Sequence, residues 1–163
     1  MPLKRCVTLL VLVLCAAFPL SAATVSFIVI ETGLNMDAGA NQYSGLWESG
    51  LLDVFFENGH IVSNAPVLRL ENTPSEAFPE QARKELAEAA EGGAVFLITA
   101  LLEYQIPGSA AREKPQRIIL RVFSMSPFKM LYVQSLPASN SQSVREEFEN
   151  IKKAARTLLP HLK

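Results

Sequence analysis

Cysteine is scarce in this sequence. The 163 residues include two, Cys6 and Cys15, and both fall in the apolar stretch that opens the chain. The rest of the chain has no thiol for a disulfide, a thiolate nucleophile or a thiolate metal site. Histidine is equally rare: His60 follows a helix stop and His161 sits near the C-terminus. Neither forms a two-histidine helical pair. Both read as cations near helix ends, and no metal or cofactor is expected. No basic block exists and the net charge is −1, which argues against nucleic acid or an anionic membrane face as partner. Phosphate-loop and dinucleotide-loop glycine patterns are missing, as is a Gly-x-Ser-x-Gly elbow. Ser44 or Ser49 with Asp53 and His60 make a triad on paper only, because they share one helix and its exit and cannot converge.

What is present begins with a leader. Lys4 and Arg5 precede an apolar run from Cys6 to Phe18, and "PLSAA" follows. That run has the length of a secretory signal and is short for a membrane span. Ser21 and Ala23 occupy the small-residue positions before a cut, so residues 1–23 are expected to be a signal peptide and 24–163 a single domain. Two alternatives stay open: lipidation at Cys15, for which Leu14 is a poor preceding residue, and an uncleaved anchor. Without Lys4 and Arg5 the remainder holds 13 basic against 16 acidic residues, a net −3. A thiol-free exported product points to a periplasmic or otherwise exported location in a bacterial envelope.

The remainder alternates strand and helix signals. "VSFIVIE" (Val25–Glu31) and "AVFLITALLEY" (Ala94–Tyr104) are continuous apolar runs, as in strands covered on both faces. Tyr43, Trp47, Leu51, Val54 and Phe55 recur at helical spacing, and Asn58-Gly59 ends that helix. "HIVSNAPVLRLE" reads as a short strand interrupted at Pro66. Thr73, Pro74 and Glu76 predict a capped helix start that Pro79 breaks or restarts, with Phe78, Ala82, Leu86 and Ala89 as the buried stripe and Glu80 paired with Lys84. "RIILRVFSM" and "KMLYVQSLP" predict a hairpin turning near Ser126-Pro127. Ser143 and Glu146 cap a last helix whose apolar stripe runs Val144, Phe148, Ile151, Ala155, Leu158, Leu162. The fold class is α/β: a single mixed-sheet domain with element order β-α-β-α-β-β-β-α.

Two sets of candidate site residues emerge. Glu31-Thr32 and Glu103-Tyr104 end the two apolar strands. If those strands are parallel neighbours, both acids reach the carboxyl edge, where α/β sheets bind ligands. There they could act as acid and base or hold a cation. Trp47, Phe128 and Met130 are candidate partner-binding residues, the last two near the hairpin tip.

The order of elements resembles one family. "EGGAVFLITALLEY" looks like the entry into an apolar strand in the CsgG, LpoB and TolB N-terminal group of envelope proteins. "RIILRVFSMSPFKMLYVQSLPAS" is similar to that group's following hairpin, and "SVREEFENIKKAARTLLPHL" to its closing helix. The hairpin tip departs from the group's Asp/Gly turn, and Glu31-Thr32 stand where Pro-Phe is usual. The resemblance implies a non-enzymatic module that binds another envelope protein. The expectation is therefore an exported, non-catalytic accessory domain whose partner is an envelope protein or itself. The alternatives are a small cation-dependent hydrolase using Glu31 and Glu103, and a self-assembling structural subunit. Membrane attachment is expected only if Cys15 is lipidated or the leader is retained.

Overall fold

In a computed structural model of the chain, the described residues are 22–34, 41–76, 78–105 and 113–162. The expected leader, up to Ser21, and most of the Gly/Asn/Asp loop after Gly33 lie outside them.

Six strands form one mixed sheet. They are β1 (Thr24–Thr32), β2 (Ile61–Asn64), β3 (Leu68–Leu70), β4 (Phe96–Glu103), β5 (Arg117–Met125) and β6 (Phe128–Pro137). The helices are α1 (Gln42–Glu57), α2 (Arg83–Glu91) and α3 (Val144–Arg156). β1 pairs in parallel with β2, β3 and β4, whereas β5 and β6 continue antiparallel from β4. The spatial order is β2–β1–β4–β5–β6, with β3 sharing the β1 edge with β2. β1 and β4 are central, which is why both read as unbroken apolar runs. β2 and β3 form one edge, broken between Asn64 and Leu68 around Pro66, a residue with no N–H to give the ladder.

Each face of the sheet has its own core. Over one face, Trp47, Leu51 and Phe55 of α1 and Ile151 and Ala155 of α3 pack on Val25, Phe27, Ile98, Leu120 and Val122. Gly50 allows the two helices to approach, since a Cβ there would lie 2.5 Å from Ile151 Cγ2. On the opposite face, Ala82, Leu86 and Phe78 cover Ile28, Ile30, Leu97, Leu101 and Phe123. The first two helices thus lie on opposite faces, a point strand order alone could decide.

Local caps explain most helix ends. Asn41 Oδ1 accepts from Tyr43 N (2.9 Å) at the start of α1, and Gly59 closes it at φ 81°, a conformation open to glycine. Ser143 Oγ accepts from Glu146 N (3.2 Å), as the second capping box predicts.

Three expectations need correction. No helix starts at Thr73: a 3₁₀ turn at Glu80–Ala82 leads into α2. A helix begun at Pro74 would hold Pro79 in its interior, without the N–H that the ladder needs; Pro79 instead sits extended before the turn. Glu80 pairs with Arg83 (2.6 Å), and Lys84 with Glu88 (3.4 Å). Val144 is exposed at the first residue of α3, ahead of the turn where that helix meets the core. His161 closes the 3₁₀ turn Leu159–His161, near a helix end as expected, and also stacks on Tyr132, with ring centroids 3.8 Å apart.

Candidate functional site

β1 and β4 are parallel neighbours, so Glu31-Thr32 and Glu103-Tyr104 reach the same carboxyl edge of the sheet. The register aligns Thr32 with Glu103 and Glu31 with Leu102. Side chains alternate between faces along a strand. Glu31 therefore shares its face with Tyr104, and Glu103 shares the opposite face with Thr32. The two carboxylates are not a pair. The sheet lies between them.

Glu31, 1% exposed, is held from three sides. The Asn41 backbone N–H donates to its Oε1 (3.1 Å), and the Ser44 hydroxyl donates to the same oxygen. Arg69, its register partner on β3, places Nε 3.1 Å from Oε2. A carboxylate at the N-terminus of α1 is also favoured by that helix's dipole. The Ser44 hydroxyl reaches the Tyr104 hydroxyl at 3.3 Å. Burial pushes the Tyr104 phenol well above its ordinary range; the Ser44 hydrogen bond opposes this and the Glu31 charge reinforces it.

Glu103, also 1% exposed, faces Arg117, its register partner on β5. Arg117 donates from Nε and from Nη2 (3.0 Å) in a bidentate fork, the strong form of carboxylate recognition. Thr73 Oγ1 adds a 2.7 Å bond and approaches Thr32 Oγ1 at 3.4 Å. Burial raises the Glu103 pKa, but the Arg117 and Thr73 hydrogen bonds and the charges of Arg117 and Arg121 outweigh it, and the net shift is downward.

Chemically, this arrangement is two ion pairs, each between a buried carboxylate and a partly exposed arginine. A general acid needs a raised pKa, and Glu103 has the reverse. A shared cation needs two acids on one side, and these lie on two. Among the described residues no group of three or more His, Cys, Asp and Glu side chains could hold a metal. Sequence reasoning missed Ser44, Arg69, Thr73 and Arg117. A signal for two of them was present: Arg117 opens the strand after the one Glu103 closes, so antiparallel pairing sets them opposite. Arg69 likewise sits in the strand beside Glu31.

The partner-binding candidates separate. Trp47 is 3% exposed and belongs to the core, so it offers no exposed anchor. Phe128 and Met130 lie on β6, 44% and 42% exposed. The Phe128 ring nonetheless stacks on Phe123 (centroids 5.1 Å) and meets Phe78 edge-on (5.4 Å). Leu131 and Val133 extend this exposed apolar row to 39% and 50%. β6 is the outermost strand of the sheet, and its ten residues run with no proline before the last.

No family model matches the chain, and no curated protein does. Solved structures do. A PelC dodecamer from Paraburkholderia phytofirmans aligns at TM-score 0.51 and 12% identity, over 85% of this chain and 87% of that one. The LpoB C-terminal domain from Escherichia coli aligns at 0.42 and 11%, over 77% and 89%. TolB from Acinetobacter baumannii aligns at 0.40 and 11%, over 87% of this chain and 27% of TolB. The PelC likeness establishes the fold.

Proposed function

We propose that this protein is an exported, non-catalytic module of the bacterial cell envelope that works by binding protein through the β6 edge. One observation carries the reading: among the described residues no strand lies beyond β6, which exposes a row of apolar side chains. The bulge opposite Val122 and Phe123 and the exposed Lys129 blunt its first half, while residues 132–137 pair in unbroken register and are open to a strand from another chain. The hydrolase alternative loses its chemistry, because its two acids lie on opposite faces.

The partner is another envelope protein or a second copy of this chain. The second copy gains support from the shared fold, since that PelC chain is a dodecamer. Light scattering on the purified protein separates the two. A mass of several chains supports self-association. A single-chain mass with one partner recovered stoichiometrically after cross-linking in envelope extracts supports the other. A single-chain mass with no partner overturns the reading.

Export rests on the leader. Mass spectrometry of the mature N-terminus, from membrane and soluble fractions, should find Thr24 first. Ala23 O accepts from Ile61 N (3.1 Å), so cleavage there removes one bond from the start of the β1–β2 ladder. A lipid-bearing Cys15 or an intact leader would replace simple export with membrane anchoring.

A further inference from the structure

One end of the sheet carries an apolar row. Ile61 opens β2 and pairs with Thr24, the first residue of β1. The register of β1 with β4, Val25 opposite Phe96, sets Val95 beside Thr24, and Val95 N donates to Thr24 O (2.8 Å). The register of β4 with β5, Phe96 opposite Ser124, sets Met125 beside Val95, and Met125 N donates to Val95 O (2.9 Å). Met125 in turn pairs with Phe128. Directly opposite residues on neighbouring strands share a face. Ile61, Thr24, Val95, Met125 and Phe128 therefore line one face across β2–β1–β4–β5–β6, a row about 19 Å long at the usual strand spacing. Ile61, Val95 and Phe128 are exposed and Met125 is half-buried. A groove lined by Phe78, Leu86, Ala87 and Ala90, with Arg83 as its one charged side chain, continues the row from Met125 and Phe128. Single exposed apolar residues are ordinary, whereas a joined run of them marks a contact surface.

The chain enters the fold in the middle of this row, at Ala23 and Thr24. Residues 19–22 alone separate Ala23 from Phe18, the last residue of the leader's apolar run, a reach of no more than about 18 Å. From Cys15 the reach is no more than about 29 Å. A leader that enters a bilayer therefore brings this end of the sheet, and no other, against lipid. We propose that the row is a lipid-contacting surface, which rests on the hydrocarbon boundary of a zwitterionic membrane while the leader, or a lipid on Cys15, holds the chain there. It rests on the leader reading and needs no strand pairing at β6. The flanking charges fit a zwitterionic surface: Lys129 follows Phe128, Glu91 ends α2, and Glu57 at the end of α1 is paired with Lys152 (2.9 Å). No basic cluster is there to recruit anionic lipid. Apolar burial supplies the attraction, and the tether supplies the proximity that a surface this small needs.

The test uses the full chain with Cys6→Ala and Cys15→Ala, which leaves no other thiol. One cysteine is then placed at a time: Lys129→Cys and Glu91→Cys beside the row, and Glu71→Cys at the far edge, next to Leu70, which pairs with Thr32. Each carries an environment-sensitive fluorophore. The proteins are made cell-free with phosphatidylcholine vesicles that bear nitroxide-labelled acyl chains. Flotation reads anchoring, and loss of emission to the nitroxide reads lipid contact. The chain should float, with emission lost at positions 129 and 91 and kept at 71. Ile61→Ser with Val95→Ser, at two exposed positions, should restore emission at 129 and 91 while flotation stays the same. Flotation with equal loss at all three positions, or with no loss at any, overturns the lipid face and leaves the leader reading standing. Failure to float overturns the proposal through the leader reading. A spectral shift at 129 and 91 that needs envelope extract rather than vesicles assigns the row to a protein partner and overturns it as well.

Discussion

The strand-end cluster and the β6 edge are opposites. At the ends of β1 and β4, two carboxylates are each 1% exposed and each faces an arginine one strand away. Along β6, apolar side chains face solvent, and among the described residues no strand lies beyond them. The first region holds charge whose partners all come from within the chain. The second holds apolar surface that the chain itself covers only in part, Phe128 by Phe123 and Phe78. Charged residues at the carboxyl edge of an α/β sheet suggest catalysis by position, yet here they fix β3, β5 and α1 to the central strands. Substitution should therefore act on stability at the first region and on association at the second.

The largest effect is expected at Glu31. Glu31→Ala removes the buried carboxylate that Arg69, Ser44 and the N-terminus of α1 share. Breaking a buried pair on one side costs about 3–5 kcal/mol, and urea unfolding should show it. A loss under about 1 kcal/mol, the range of an exposed surface pair, would mean that Glu31 is not structural.

Arg117→Gln should act in the same way but more weakly, because Arg117 is 46% exposed and solvent screens the pair. A loss of about 1–2 kcal/mol at neutral pH is expected. The pH dependence is the sharper readout. Glu103 has a folded pKa below its ordinary 4.5. Its ionised form therefore stabilises the fold at pH above the unfolded value, and that contribution is lost as pH falls through the folded pKa. Removing Arg117 raises the folded pKa toward the unfolded one. The variant should thus be less stable than the parent at neutral pH but lose less as pH falls below the ordinary 4.5, so that the two converge in acid, and urea unfolding at a series of pH values measures it. Identical acid profiles would show that Arg117 does not set the Glu103 ionisation.

The contrast between the regions was only half legible in the sequence. Strand positions were: the apolar runs around Val25 and Ala94 mark two-sided burial, and their last residues reach one edge once the strands pair in parallel. The faces were not. Whether Glu31 and Glu103 share a side depends on a one-residue register between β1 and β4, which no local pattern records. Trp47 shows the same limit, since a helical stripe says which residues share a face but not what covers it. Of the two signals before α2, the Thr73 capping box and the Pro79 break, the second decided where the helix starts. Thr73 then became free to bond Glu103.

Phe128 lies between the two regimes, partly exposed yet stacked on Phe123. Phe128→Ala should cost about 1 kcal/mol, because aromatic pairs contribute about 0.5–1.5 kcal/mol beyond area and the ring is only half buried. Thermal unfolding would record it. A neutral result would assign the ring wholly to the surface.

The smallest stability effect, and the most direct test of the edge, belongs to Val133. It is 50% exposed on β6 and its register partner is Arg121. Val133→Lys removes apolar surface, adds a solvated charge and places it opposite a guanidinium, so unfolding should shift by no more than about 0.5–1 kcal/mol. Lysine on an edge strand is also one of the means by which natural sheets prevent strand addition. The parent should therefore associate, with itself or with a captured partner, and the variant should not, although both fold alike. Light scattering and cross-linking at matched concentration measure the first property, and urea unfolding measures the second. Equal association by the two proteins would move the interface away from β6. A large loss of stability would show that β6 is held by its own chain more tightly than its exposure indicates, and the contrast with the strand-end cluster would collapse.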